Sequence, residues 1–235
     1  MSDPTANSSY SATRARLEDY FDGTAAETWA RLTSDAPVSR IRRTVRAGRD
    51  RMRDALLSRL PTDLRGRRVL DAGCGAGQAA AILAARGAEV VAADISPSLL
   101  QVAIERTPAS LRGRITFLTA DMTDPGLGRF DHVLAMDSLI HYRAGDIAAT
   151  LDRLAASTSG RIVFTVAPRN PLLSTMHAVG KLFPRSNRSP AIVPVSDQRL
   201  AREISALPVA GARHLRRIER VSSGFYISQA MELSP

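Results

Sequence analysis

Several residues whose types could do chemistry recur at regular intervals in the middle of the chain. "DAGCGAG" runs from Asp71 to Gly77 and alternates Gly73, Gly75 and Gly77 around Cys74 and Ala76. Asp94 stands 23 positions after Asp71 with Ile95 beside it, and Asp121 precedes Met122. Farther on, "MDSLIHY", from Met136 to Tyr142, places Asp137, His141 and Tyr142 within six positions. Glycines in such a turn let the backbone approach a ligand closely. A lone glycine-rich turn is weak evidence, because dinucleotide-binding proteins use similar ones.

The charge beside the turn separates the alternatives. A pyrophosphate would sit on backbone N–H groups at a helix N-terminus, which favours anions. Asp71 would oppose it. A ligand with an ammonium group and no phosphate would be attracted instead, and S-adenosylmethionine (SAM) carries an α-amino group and a sulfonium. Asp94, at a strand end, can accept hydrogen bonds from both ribose hydroxyls. Ile95 can pack on adenine, and Asp121, next to Met122, can accept from the adenine amino group. Cys74 is expected as a small turn residue of the same loop, with Met136 as a further cofactor contact.

These residues need strands that end together. "RRVLDAG", "AEVVAADIS", "RITFLTADM", "FDHVLAMDS" and "RIVFTVAP" read as five buried strands, with helices at "GQAAAILAARG", "SPSLLQVAIERT" and "AGDIAATLDRLAAS". That alternation predicts an α/β doubly wound, mainly parallel sheet. "RHLRRIERVSS" and "GFYISQAMELS" lack an intervening helix, so they are expected to close the sheet as an antiparallel hairpin. Ahead of the sheet, residues 1–12 are expected as a frayed tail. Residues 13–62 are expected as a helical arm, with two short helices interrupted near Gly23 and then a longer one ended by Pro61. The α/β domain is expected to span 63–235, with an inserted helix and Pro-rich loop at 169–200.

Composition excludes several classes. The single cysteine rules out an intramolecular disulfide and a Cys-based zinc site. No apolar run approaches the ~20 residues of a membrane span, and the N-terminus lacks a signal-peptide core. A cytosolic protein, at most peripheral to a membrane, is expected. The formal charge of +9 invites a nucleic-acid reading. The basic residues are nearly all arginine, however, with Lys181 the only lysine. The one dense run, Arg40 to Arg53, covers several helical faces, so it suits either solvent or an anionic partner. After the fourth strand, base methyltransferases typically carry an Asn/Asp-Pro-Pro-aromatic motif, whereas this chain has Met136-Asp137-Ser138-Leu139.

Asp71–Gly77, Asp94 and Asp121–Met122 resemble the motifs of class I SAM-dependent methyltransferases, a Rossmann-like fold with a seven-stranded mixed sheet. "YFDGTAAETWARL", "VRAGR", "LDAGCGAG", "AMDSLIHY", "GKLFPRSNRSPA" and "GFYISQAMEL" further resemble the magnesium-protoporphyrin IX O-methyltransferase family of bacteriochlorophyll synthesis. That resemblance implies methylation of one propionate of Mg-protoporphyrin IX, with SAM as donor and magnesium belonging to the substrate. It also implies the large porphyrin-binding subunit of magnesium chelatase as partner, and no nucleic acid. A porphyrin needs an apolar cleft with cationic rims. Tyr20, Phe21 and Trp29 of the arm, and Leu172, Leu173, Met176, Leu182 and Phe183 with Lys181, Arg185 and Arg188 of the insert, are expected to supply it.

The family resemblance pairs an arm tyrosine with the histidine as the residues important for activity, here Tyr20 and His141. Tyr10 falls in the expected tail. By chemistry alone, His141 has three roles open to it: an orienting donor to the acceptor carboxylate, an axial contact to the chelated magnesium, or a packing residue at a helix start. No general base is required, because a propionate with a pKa near 4.3 is already ionised at neutral pH. Asp137 is expected to shape the cofactor pocket. Methylation of another small molecule, such as a quinone, and non-catalytic RNA binding are the competing functions.

Overall fold

Val69 and Leu70 are neighbours in the first strand but belong to different cores. The computed structural model describes residues 4–22, 40–169 and 191–235. The first strand, β1 (Arg68–Ala72), is buried on both faces. On one side, Leu70, Val133, Ile162 and Phe164 pack with Ile147, Leu151 and Leu154. On the other, Val69, Val90, Leu134 and Val163 pack with Met52, Leu56, Ala80 and Leu83. Alternate side chains of a strand point to opposite faces, and helices on both faces demand apolar residues at nearly every position.

The remaining elements are α1 (Pro4–Asp22), α2 (Arg40–Leu57), α3 (Gln78–Ala85), β2 (Glu89–Asp94), α4 (Pro97–Arg106), β3 (Ile115–Thr119), β4 (His132–Ala135), α5 (Ala144–Ala156), β5 (Ile162–Val166), α6 (Asp197–Ser205), β6 (His214–Ser223) and β7 (Tyr226–Ser234). The seven strands lie in the order β3-β2-β1-β4-β5-β7-β6. β1 to β5 pair in parallel, while β7 runs antiparallel to both β5 and β6. This is the expected mixed sheet with a closing hairpin. The chain reverses its winding between β1 and β4, and the cleft beyond the strand ends at such a point is where open α/β sheets hold ligands.

Local signals place the helices. Ser96 caps α4, its Oγ accepting from the Leu99 N–H at 3.2 Å, with Pro97 at the first helical position. Gly87 follows α3 with φ of 97°, a conformation that glycine adopts without strain. α2 lies against the β6–β7 hairpin, where Ser223 Oγ donates to Thr44 O at 2.8 Å.

The N-terminus departs from expectation. Helix α1 begins at Pro4 rather than Thr13, so much of the expected tail is ordered structure. Its cause is tertiary. Ser9 Oγ donates to Asp146 Oδ2 at 2.7 Å, Tyr10 stacks on Tyr142 with ring centroids 4.9 Å apart, and Tyr10 OH donates to Asp121 Oδ1 at 3.0 Å. Arg14 forms an ion pair with Asp121 at 3.3 Å. At the other end, Ser98 Oγ donates to Asp22 Oδ1 at 2.6 Å, tying α1 to α4. Trp29 and the insert residues Leu172 to Arg188 lie outside the described residues.

Tyr10 is 5% exposed, and its hydroxyl bond to the Asp121 carboxylate is one of the ties that hold α1 on the sheet. Tyr10→Phe is expected to lower amide protection across residues 9–17 by about 1–2 kcal/mol in hydrogen exchange. Strand amides should be unaffected. Unchanged protection in α1 would mean that the helix is held by packing alone.

Candidate functional site

One cavity of about 360 Å³ opens where the winding reverses. Asp71 ends on its wall, together with Gly73, Cys74, Gly75, Asp94 and Ile95. Asp71 is 2% exposed, and its Oδ2 has no hydrogen-bond partner among the described residues. Burial pushes its carboxyl up to about 7, reinforced by the negative charge of Asp94, while a backbone hydrogen bond from Ala80 pulls the other way. A buried, unsatisfied carboxylate is costly. A cationic ligand removes the cost.

The glycines divide their work. Gly73, Gly75 and Gly77 all have positive φ, at 77°, 52° and 76°. A Cβ at Gly73 would lie 2.5 Å from the Ser138 Cβ, and one at Gly77 would lie 2.9 Å from the Ala103 Cβ. Nothing lies within 4 Å of the corresponding point at Gly75. Gly73 therefore lets the turn pass the loop after β4, and Gly77 lets α3 pack on α4. Gly77 is not part of the cavity wall. Gly75 leaves its side open.

Asp94 holds that turn. Its Oδ2 accepts from Gly75 N–H and its Oδ1 from Ser96 N–H, at 2.8 and 2.9 Å. Burial raises its pKa, opposed by these backbone donors. Each oxygen retains capacity for a second donor, as two ribose hydroxyls would require. Ile95, Ala120 and Met122 add an apolar wall, and Met136 lies on the lining as well. Cys74 also lines it, and burial raises its thiol pKa, which keeps it protonated and inert.

Asp121 is engaged by groups of the protein itself. It is not on the cavity wall, and its oxygens are taken by Tyr10, Arg14 and Thr123. Burial raises its pKa, but those hydrogen bonds and the Arg14 charge outweigh it, so the net shift is downward. The acid expected to read adenine anchors α1, and its neighbours Ala120 and Met122 face the cavity.

His141 lines the same cavity and is 9% exposed. Its Nδ1 lies 3.2 Å from Ala191 O. A carbonyl only accepts, so Nδ1 carries the proton and Nε2 is the ring's remaining nitrogen. Burial lowers the histidine pKa, countered by the Ala191 hydrogen bond and the Asp137 charge. Phe21 meets His141 edge-on at 6.3 Å and also lines the cavity. Tyr20 does not; it packs edge-on against Phe21 at 5.2 Å, one ring removed from the site.

Asp137, expected to shape the pocket, draws together three residues to which the sequence reading gave no site role, Arg49, Thr165 and Tyr226. Asp137 adopts φ of 57°, the one positive φ outside glycine among the described residues. Its N–H donates to Thr165 Oγ1 at 2.7 Å, Tyr226 OH donates to its Oδ1 at 3.0 Å, and Arg49 pairs with its Oδ2 at 2.9 Å. Such a network holds a strained backbone that would otherwise relax. Arg49 and Arg53 both line the cavity from α2. Their spacing of four residues put them on one helical face, which was a legible signal.

Asp71, Asp94 and the open side of Gly75 thus fit an adenosyl amino acid bearing a positive charge. Among the described residues, no group of His, Cys, Asp or Glu could hold a metal ion, and no helix is long and apolar enough to cross a membrane.

Comparison with known proteins agrees with the geometry. Residues 135–235 match the family described as magnesium-protoporphyrin IX methyltransferase C-terminus, and residues 69–159 match a general methyltransferase domain. A magnesium-protoporphyrin O-methyltransferase from Rhodobacter capsulatus is 52% identical over 97% of this chain and 99% of its own. One from Synechocystis is 30% identical over 92% of this chain and 94% of its own. The crystal structure of magnesium protoporphyrin IX methyltransferase from Synechocystis PCC 6803 with bound SAH superposes with a TM-score of 0.81. It shares 27% identity over 94% of this chain and 98% of that one. Identity sustained over nearly the whole length, arm included, makes this chain a member of the magnesium-protoporphyrin O-methyltransferase family.

Proposed function

We propose that the protein is a SAM-dependent carboxyl O-methyltransferase that esterifies one propionate of Mg-protoporphyrin IX. The observation that carries the proposal is the buried Asp71 carboxylate, whose unpartnered oxygen shares a cavity with His141. The near full-length identity to relatives named for this reaction supports the choice of acceptor.

SAM, when bound, supplies an electrophilic methyl group on a positively charged sulfur. Asp71 accepts from its ammonium and Asp94 from its ribose hydroxyls, while Ile95, Ala120 and Met122 cover the adenine. The acceptor carboxylate is already ionised, so its oxygen bonds to the methyl carbon as the carbon–sulfur bond breaks. The sulfur keeps the electron pair, and no proton is transferred. What the chain must contribute is alignment and exclusion of water; alignment alone can supply up to roughly 7–11 kcal/mol in well-arranged systems. Phe21 and Ile140 line the apolar part of the cavity.

The role of His141 follows from its ring. With Nδ1 donating to Ala191, a neutral His141 offers only a lone pair at Nε2, which repels a carboxylate. Orienting the acceptor requires the imidazolium, and the bound carboxylate favours it. Tyr20 acts through Phe21, as support for the wall that His141 meets. Delivery of the porphyrin by the large subunit of magnesium chelatase, which rests on the family resemblance, and peripheral contact with the photosynthetic membrane complete the proposal.

Purified protein given methyl-labelled SAM and Mg-protoporphyrin IX should yield a singly labelled methyl ester, with metal-free protoporphyrin a poorer acceptor. No labelled porphyrin under these conditions would overturn the proposed substrate. His141→Ala should lower turnover about 10- to 100-fold, the worth of one charge-assisted hydrogen bond, with SAM affinity retained. Because burial depresses the His141 pKa, the imidazolium population falls as pH rises. At saturating SAM, kcat/KM is expected to fall about tenfold per pH unit above that pKa. His141→Gln, which donates without titrating, should flatten the profile. A flat wild-type profile between pH 6 and 9 would remove the donor role. Tyr20→Phe should keep turnover within about twofold and Tyr20→Ala should not, if the ring and not the hydroxyl matters.

A further inference from the structure

Three large apolar side chains are exposed among the described residues, Ile104, Leu118 and Phe225, and Phe225 is the most exposed at 56%. Of the three, it alone lines the cavity. It occupies the tip of the closing hairpin: Ser223 pairs with Tyr226, so Gly224 and Phe225 form a two-residue loop. Gly224 supplies the positive φ that such a loop needs, at 58°. The turn itself makes no demand for an aromatic residue at the next position. A lone exposed ring calls for no explanation, but this one sits on a tip that is held firmly against α2. A Cβ at Gly48 would lie 2.7 Å from Tyr226 Cδ1, and one at Gly224 would collide with Thr44 Oγ1. Ser223 Oγ donates to Thr44 O, and Tyr226 OH donates to Asp137 Oδ1. Helix and hairpin tip are thus fitted closely to each other, and the Phe225 backbone is fixed at the cavity mouth.

The size of the cavity gives that ring a use. Sites of roughly 300–1,000 Å³ hold one small ligand, and this one measures about 360 Å³. With SAM inside, a tetrapyrrole does not fit as well. One propionate can reach in, while the macrocycle lies across the mouth. A flat aromatic plate in that position needs an apolar surface under one face. An aromatic ring suits it, because stacked rings gain beyond the area they bury. We propose that Phe225 is a specificity-determining residue for the acceptor, its ring packing on the face of the macrocycle while Val45, Ile140 and Ile192 line the passage for the propionate. Because the tip does not yield, the ring also sets how far the propionate enters. The assignment rests on the Mg-protoporphyrin reading and names the residue that selects a wide planar acceptor over a narrow one.

Soret-band titration with Mg-protoporphyrin IX, in the presence of S-adenosylhomocysteine, reads the contact directly. Phe225→Ala should raise the porphyrin Kd about tenfold, the worth of one aromatic face. KM should rise in step, with kcat at saturating porphyrin lowered by about twofold at most. Phe225→Trp should keep the Kd within about twofold of wild type, and Phe225→Leu should fall between Trp and Ala. SAM affinity by calorimetry should be the same in all of them. Unchanged porphyrin affinity in Phe225→Ala overturns the assignment. A parallel loss of SAM and porphyrin affinity in the Ala and Leu variants also overturns it, since that marks a structural role. So does a Phe225→Ala protein that keeps its porphyrin Kd but no longer sediments with phosphatidylglycerol vesicles, which makes the ring a membrane contact. A wild-type protein that binds SAM yet leaves the Soret band unshifted removes the porphyrin reading itself.

Discussion

A carboxylate buried at the point where the sheet reverses its winding is the constraint on which the site depends. Asp71 sits at the end of a strand flanked by apolar residues on both faces, and no described donor reaches its Oδ2. Water cannot satisfy it as it would at the surface, so burial pushes its pKa up to about 7. The sign of the linkage is clear. A carboxyl whose pKa is raised by folding favours the folded state most below its unfolded value near 4, and that contribution is lost as pH rises to about 7. A bound ammonium reverses the shift, and the energy of that reversal becomes binding energy.

Three carboxylates that look alike in sequence therefore do three different things. Asp71 keeps one oxygen without a described donor. Asp94 spends part of each oxygen on backbone N–H groups, which stiffens the glycine turn before any ligand arrives. Asp121 is fully committed to Tyr10, Arg14 and Thr123 and fastens the N-terminal helix over the sheet. The arm is consequently built into the cofactor side of the cavity: Tyr10 anchored on Asp121 lines one end, and Phe21 against His141 lines another. A fourth carboxylate, Asp137, holds α2, β5 and β7 together around a strained turn and keeps Arg49 and Tyr226 at the wall.

Features that depend on neighbours in sequence were legible there. Apolar runs bounded by glycine marked the strands, Ser96-Pro97 marked a helix start, and two strands without a helix between them marked the hairpin. That Asp71 and Asp94 would meet at one cavity could be read because strand ends in such a sheet converge. Features that depend on a distant partner were not legible. Tyr10 reads as part of a polar tail until Asp121 and Tyr142, more than a hundred residues away, supply its contacts. Gly77 reads as part of a ligand loop, yet Ala103 of another helix decides its role. Tyr20 reads as a wall residue, but its position near the end of α1 leaves Phe21 between it and His141. The arginine run shows why a charge cluster resists interpretation: Arg53 faces the cavity and Arg51 the surface, two positions apart.

The central claim is that Asp71 is the acceptor of the cofactor's ammonium. Carbon-13 NMR of the labelled Asp71 carboxyl, titrated with and without S-adenosylhomocysteine, tests it most directly. The account predicts a midpoint near 7 in the free protein and a fall to the ordinary carboxylate range, roughly 4 or below, in the complex. An Asp71 that titrates at the same pH in both states would contradict it.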